Sequence, residues 1–195
     1  LQRLLILDLD ETLIHGTRHP LGRPADFVVD PYHIYRRPHL DEFLLNCSQH
    51  YEMAVWTSAG ADYAREVVDE IWPPGVDRSF LWSRERCTYR ENLETRRPEW
   101  IKDLKKVKKA GYPLERIVMV DDNPEKLSRQ YGNLVRVRPY YGELRDDELP
   151  WLSRFLSQLA AVDNVREVEK RGWRERLEAE SSESPQGTRT GLDPP

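Results

Sequence analysis

Four short apolar stretches punctuate an otherwise polar chain: Leu4-Leu5-Ile6-Leu7, Met53-Ala54-Val55-Trp56, Ile117-Val118-Met119-Val120 and, more weakly, Leu134 to Val137. Runs of this kind, without polar alternation, read as strands buried on both faces, the pattern of a parallel sheet. Between them apolar residues recur at helical spacing. Leu40, Phe43, Leu44 and Cys47 fall at i, i+3, i+4 and i+7, as do Ala64, Val67, Val68 and Ile71, and Leu149, Leu152, Leu156 and Leu159 mark a third face. Strands alternating with helices predict an α/β fold, a Rossmann-like and mostly parallel sheet with flanking helices.

Two stretches break the alternation. Gly16 to Arg37 holds Gly16, Pro20, Gly22, Pro24 and Pro31, so a loop or small elaboration over the end of the first strand is expected. Pro73 to Pro98 carries Phe80, Leu81, Trp82 and Tyr89 among many charges and is expected to form a small subdomain. Both fall where a small insertion would roof a site. Past Val162 the chain becomes strongly charged; Val165, Val168, Trp173 and Leu177 suit a peripheral charged helix over 169–180, broken at Gly172. From 181 to 195 Ser, Pro, Gly and Thr dominate without periodicity, which predicts disorder, leaving 1–168 as the domain proper.

A chain of 195 residues suits one domain of ordinary size plus an appendage. The net charge of -4 is too mild for bulk attraction to nucleic acid or a membrane, so local groups must hold any anionic substrate. No stretch approaches the apolar length of a membrane span, and Asp8 interrupts the N-terminal run before it can serve as a signal peptide. Cys47 and Cys87 lack CxxC spacing, which argues against zinc and disulfides and for a reducing intracellular setting, cytoplasmic or, in a eukaryote, nuclear.

The candidate chemistry begins at Asp8 and Asp10, directly after the first apolar run. Two carboxylates so close raise each other's pKa unless a cation neutralises them, and the carboxyl end of a strand is where open α/β sheets bind ligands. A Mg2+-assisted site is the expectation. The plainer alternative is that Asp10 or Thr12 only caps a turn. Thr57 and Ser58 follow the second run, where a hydroxyl either caps the helix starting near Ala61 or helps its free amides hold an anion. Asp121 and Asp122 follow the third run; capping explains Asn123 and Pro124 but not two adjacent acids. With Asp8 and Asp10 they supply hard oxygen ligands suited to Mg2+. Lys102 shares a basic run with Lys105, Lys106, Lys108 and Lys109 that reads as a solvated helix face, yet four carboxylates need a fixed cation before a phosphate dianion can enter.

Taken in order, Asp8-Leu9-Asp10-Glu11-Thr12-Leu13, Trp56-Thr57-Ser58-Ala59, Lys102-Asp103-Leu104 and Asp121-Asp122-Asn123-Pro124 resemble the four motifs of the haloacid dehalogenase superfamily. More narrowly the chain resembles the D-x-D-x-T phosphatases of the small C-terminal-domain phosphatase and Dullard, NLI-interacting-factor-like, group. Arg37 to Leu44, Tyr63-Ala64, Arg84 to Cys87 and Asp146 to Leu149 support the likeness, which covers about residues 4 to 168. It implies that Asp8 is a nucleophile forming an aspartyl-phosphate and that Asp10 is the general acid and base. It further implies that Asp8, the Asp10 carbonyl and Asp122 hold Mg2+. Thr57 and Lys102 would bind phosphoryl oxygens, with Asp121 orienting Lys102 and Thr12, Ser58 and Arg84 on the substrate side. A salt-bridged surface explains Arg84 equally well.

A Ser/Thr-phosphorylated protein or peptide is the implied substrate, because no large cap domain fits between Leu13 and Tyr51. The alternatives are a phosphorylated metabolite or nucleic-acid terminus, and a scaffold that binds phospho-ligands without turnover; a receiver domain has the wrong motif order. The segment from Thr12 to Arg37 is shorter than in the family's eukaryotic enzymes and is expected to lack their full hairpin. Arg18 stands near their aromatic residue, and Tyr89 to Trp100 is longer. His15 reads as structural, and Trp82, Trp100 and Tyr89 as either a peptide platform or a minor core.

Overall fold

Leu4–Leu7 contains no polar residue because both of its faces are covered: every one of its side chains is fully buried. The computed structural model describes residues 3–92, 96 and 98–183. In chain order its strands are β1 (Leu4–Leu7), β2 (Ile14–Thr17), β3 (Phe27–Val29), β4 (Tyr32–Arg36), β5 (Glu52–Trp56), β6 (Leu81–Trp82), β7 (Thr88–Glu91), β8 (Pro98–Ile101), β9 (Ile117–Asp121) and β10 (Leu134–Arg136). Its helices are α1 (Leu40–Ser48), α2 (Ala61–Ile71), α3 (Lys105–Lys109), α4 (Glu148–Leu159) and α5 (Trp173–Glu183).

The main sheet runs β10-β9-β1-β5-β6, and every neighbouring pair is parallel. Alternate residues of each strand face opposite sides. Leu5, Leu7, Met53, Val55, Val118, Val120 and Val135 pack with the inner faces of α1, α2, α4 and α5. Leu4, Ile6, Ala54, Trp56, Ile117, Met119 and Leu134 pack with Leu104, Val107, Leu127 and Cys87 on the other side. The predicted α/β sandwich therefore stands, with the strand runs and all three helical faces in their expected places.

Three segments sharpen or depart from the sequence reading. Residues 16–37 form the small elaboration and not the loop: they belong to a three-stranded antiparallel sheet, β2-β4-β3. Its strands have one open face and are short, so Gly, Pro and polar residues mask the pattern. Leu81 and Trp82 do not belong to a separate subdomain; they form the edge strand β6 beside β5, and only β7 and β8 make an added hairpin. The C-terminal helix starts after Gly172, whose φ of +60° suits a glycine, and runs Trp173–Glu183 instead of 169–180. It is not peripheral. Val165, Trp173 and Leu177 are buried in the main core, the Trp173 ring stacks on Phe155 at 5.3 Å, and its indole donates to Arg136 O at 2.7 Å. Of the stretch expected to be disordered, 181–183 are helical and 184–195 lie outside the described residues.

One buried side chain ties these parts together. Arg37, just past β4, forks onto Asp146, with Nε to Oδ1 at 2.7 Å and Nη2 to Oδ2 at 2.9 Å. Its remaining donors reach Thr12 O at 3.0 Å and Arg138 O at 2.9 Å. The guanidinium thus joins the loop after β1, the small sheet, the loop after β10 and the approach to α4. Truncating one partner of a buried pair leaves the other charge unpaired, so Arg37→Met should cost about 3–5 kcal/mol of stability in urea unfolding. A loss below about 1 kcal/mol, the size of an exposed pair, would refute this role.

Candidate active site

The register sets Leu7 level with Val55 and Val120, so the next residues, Asp8, Trp56 and Asp121, end their strands together at the carboxyl edge. Asp8 N–H donates to Val120 O at 3.0 Å, continuing the ladder by one bond. Asp8 is 1% exposed and Asp121 and Lys102 are 0% exposed, an enclosure that ions tolerate only in mutual contact. Lys102 Nζ lies 2.9 Å from Asp8 Oδ1 and 2.6 Å from Asp121 Oδ2. Lys126 Nζ lies 2.7 Å from Asp8 Oδ2 and 3.6 Å from Asp121 Oδ1. Burial alone would raise the Asp8 pKa, but the Lys102 and Lys126 charges overcome it and hold the carboxyl well below its usual range. Asp121 bears the opposite outcome: burial and the Asp8 charge push it up to about 6 against the pull of Lys102 and Lys126.

Asp10 faces elsewhere. Its Oδ1 accepts a 2.7 Å hydrogen bond from Tyr63 Oη, and its pKa is raised by burial and the nearby Asp8 charge despite that bond. Tyr63 reaches Asp10 because residue 16 is a glycine: a Cβ there would stand 2.5 Å from Tyr63 Oη. Between the two aspartates and β2 the chain turns at Glu11, with φ of +58°. Burial, followed by the charges of Asp10, Asp122 and Asp8, pushes the Glu11 carboxyl up to about 7. Its Oε1 lies 3.3 Å from His15 Nδ1, whose pKa burial lowers.

The hydroxyl of Thr57 does not cap α2, whose N-cap is Gly60 without a side-chain bond; it accepts Ala59 N–H at 3.0 Å within the loop after β5. Arg84 Nε donates to Ser58 O at 2.7 Å, and its guanidinium lies 5.5 Å from the centre of the Trp100 ring. Arg84 therefore braces the Thr57-Ser58 loop. Thr12 is buried beside the site with an unpartnered Oγ1. Trp82 is half-buried and packs on the core, against Trp56 at 5.0 Å and Phe80 at 4.3 Å, whereas Tyr89 is exposed and edge-on to Trp100 at 5.4 Å.

Asp8, Asp121 and Asp122 each offer one oxygen, all within 4.8 Å of one another. Asp122 Oδ1 is buried without a hydrogen-bond partner, which leaves a hard oxygen donor unused on a carboxylate of the cluster and fits a hard cation. The carboxylate of Asp10 is not among the three, since it is turned to Tyr63. The motifs did not single out Lys126 or assign Tyr63 a task; Lys126 sits four residues past Asp122 in a short 3-10 turn, Pro124–Leu127, and looks like any surface lysine.

A carboxyl whose pKa is higher folded than unfolded adds stability below its ordinary pKa of 4.5, and that contribution is lost as the pH rises through about 7. In EDTA, Glu11→Gln should therefore leave the melting temperature nearly unchanged at about pH 4 and raise it by about 3 °C at about pH 8. Equal effects at both pH values would refute the assignment.

The chain that carries this cluster is similar in sequence and fold to named phosphatases. It is 33% identical to phosphatase Herzog of Drosophila melanogaster over 86% of this chain and 47% of that protein. It is 33% identical to human carboxy-terminal domain RNA polymerase II polypeptide A small phosphatase 1 over 84% of this chain and 62% of that one. The chain thus spans about half to three-fifths of the length of these relatives. The fold matches the solved structure of the fission yeast RNA polymerase II CTD phosphatase Fcp1 with a TM-score of 0.56 at 22% identity, over 94% of this chain and 53% of that one. No helix among the described residues is long and apolar enough to cross a membrane, and Cys47 and Cys87 are free and buried. The family model described as NLI interacting factor-like phosphatase spans residues 3–166, which takes in the whole carboxylate and lysine cluster, and the chain belongs to that family.

Proposed function

We propose that this chain is a Mg2+-dependent phosphomonoesterase acting on Ser/Thr-phosphorylated protein through an aspartyl-phosphate on Asp8. The observation that carries the reading is the contrast between Asp8, kept ionised by two ammonium groups, and Asp10, two residues on, whose pKa is raised. A nucleophile must be ionised and a general acid protonated, and environments that push two carboxyls apart assign the two roles.

In the first half-reaction an Asp8 oxygen attacks phosphorus while the ester oxygen departs with the proton of Asp10. In the second, Asp10, now ionised, takes a proton from water as the water oxygen attacks the phosphoryl-aspartate, returning free Asp8 and phosphate. Tyr63 holds the Asp10 carboxyl in one orientation through both halves. Lys102 fixes Asp8 and is itself aligned by Asp121; Lys102, Thr57 and the Ser58 loop braced by Arg84 then lie beside the phosphoryl oxygens, where most of the stabilisation in phosphoryl transfer is required. Thr12 lines the same edge. Mg2+ would be held by Asp8, Asp122 and the Asp10 backbone carbonyl, with Asp121 next to it, and when bound it supplies charge neutralisation between Asp8 and the phosphate dianion.

A protein substrate is supported by the small size of the additions to the main sheet among the described residues, β2-β4-β3 and the β7-β8 hairpin. The human relative's name points to the polymerase tail for that protein; here the reading stops at the phosphoprotein class. Two free, buried cysteines support an intracellular place of action.

Release of phosphate from p-nitrophenyl phosphate and from a phosphoserine peptide tests the proposal. Asp8→Asn should remove turnover of both by about 10³-fold or more, and EDTA should abolish it reversibly. Asp10→Asn should cost about 10²–10⁴-fold on the peptide but much less on p-nitrophenyl phosphate, whose leaving group needs no proton. Unmutated protein that binds phosphate and metal without turning over either substrate would leave a binding scaffold in place of the enzyme, and turnover of sugar phosphates in preference to the peptide would move the substrate to a metabolite.

A further inference from the structure

Lys102 and Lys126 divide the buried carboxylates between them. Lys102 takes Asp8 Oδ1 and Asp121 Oδ2 from inside the fold, with its side chain fully enclosed. Lys126 takes Asp8 Oδ2 and leans toward Asp121 Oδ1 from the open side, with 19% of its side chain exposed. Asp8 and Asp121 are also two of the three carboxylates able to converge on one ion, and the third, Asp122, keeps a buried oxygen without a partner. The outer ammonium and a divalent ion therefore draw on the same two carboxylates, Asp8 and Asp121.

Charge makes that sharing competitive. Three ionised carboxylates facing two ammonium groups leave one net negative charge; a divalent ion added with Lys126 in place would leave one net positive charge in a buried site. Like charges at contact distance in such surroundings repel strongly. Lys102 cannot yield, because it is enclosed and bonded to both aspartates. Lys126 can, because its four-carbon stem rises from a short 3-10 turn and its side chain, unlike that of Lys102, is partly exposed.

We propose that Lys126 is a tethered counter-cation of the metal site, which holds Asp8 Oδ2 until a divalent ion displaces it and so sets how tightly that ion binds. The inference rests on the phosphatase reading for its purpose: an ion that binds against a tethered rival is held less tightly, and the displaced ammonium stays within reach of the site.

Isothermal titration of Mg2+ into the purified, EDTA-stripped chain tests this without reference to turnover. Lys126→Met should tighten the Mg2+ dissociation constant by about tenfold or more, because the competing charge is gone. The same substitution should lower the melting temperature in EDTA and enlarge the rise that saturating Mg2+ produces. Should Lys126→Met fail to fold, Lys126→Gln keeps a neutral donor at the same place and carries the same expectation. Mg2+ affinity that is unchanged or weaker in the folded variant overturns the inference, as does the absence of Mg2+ binding to the unmutated chain. Weaker vanadate binding with unchanged Mg2+ affinity would instead make Lys126 a phosphoryl ligand and overturn it as well. Tightened Mg2+ binding in a chain without phosphatase activity would leave the inference standing and remove only the proposed function.

Discussion

The fold is organised around ions that cannot be left alone in its interior. Asp8, Asp121 and Lys102 are withdrawn from water together, and the loss of one partner would strand the others at a cost of several kcal/mol. The sheet order follows from this demand as much as from apolar burial. Because β1 and β9 are neighbours, their terminal aspartates stand side by side, and because β8 returns on the other face, Lys102 arrives beneath both. A backbone bond of 2.7 Å from Lys102 N to Lys126 O ties the two lysine segments to each other. The site is thus part of the core, and its geometry is held by the same contacts that close the layers.

How far the chain disclosed this depends on how completely each part is buried. Strands β1, β5 and β9 are enclosed on both faces, so they contain hardly anything but apolar residues and are plain in the sequence. The small sheet β2-β4-β3 has an open face and tight turns, and its polar and Pro-rich chain resembles a loop. Strand β6 is two residues long and exists only because β5 offers it an edge. Trp173 and Leu177 lie in a charged stretch, where two apolar residues four apart carry too little pattern to reveal that they enter the core. The aspartates were legible because strand ends place them; Lys126 was not, because its contact with Asp8 spans 118 positions of the chain and depends on a turn that only the tertiary structure orients.

The small sheet also has a physical line to the site. Tyr32 on β4 meets Tyr63 edge-on at 5.4 Å, and Tyr63 holds Asp10. Arg18 lies 5.6 Å from the centre of the Tyr32 ring. A ligand that moved Arg18 or Tyr32 would therefore press on the residue that orients Asp10. Arg37 anchors the base of the same sheet to Thr12 O and Asp146, which keeps that line short and stiff. The small sheet and the aspartates are linked through shared side chains here, so changes in the sheet need not leave the site untouched.

Asp8 and Asp10 set opposite requirements from nearly the same address. Both lie at the end of β1 and both are desolvated, so burial raises each of them, and burial alone would have made them alike. Their difference comes from partners reached through tertiary structure: two lysines on Asp8, one tyrosine hydroxyl on Asp10. A hydroxyl can fix a carboxyl in place without supplying the full charge that would keep it ionised, whereas an ammonium does both. Exchanging those partners would exchange the protonation states. The D-x-D spacing supplies two carboxyls, and the surrounding layers decide which of them is held ionised.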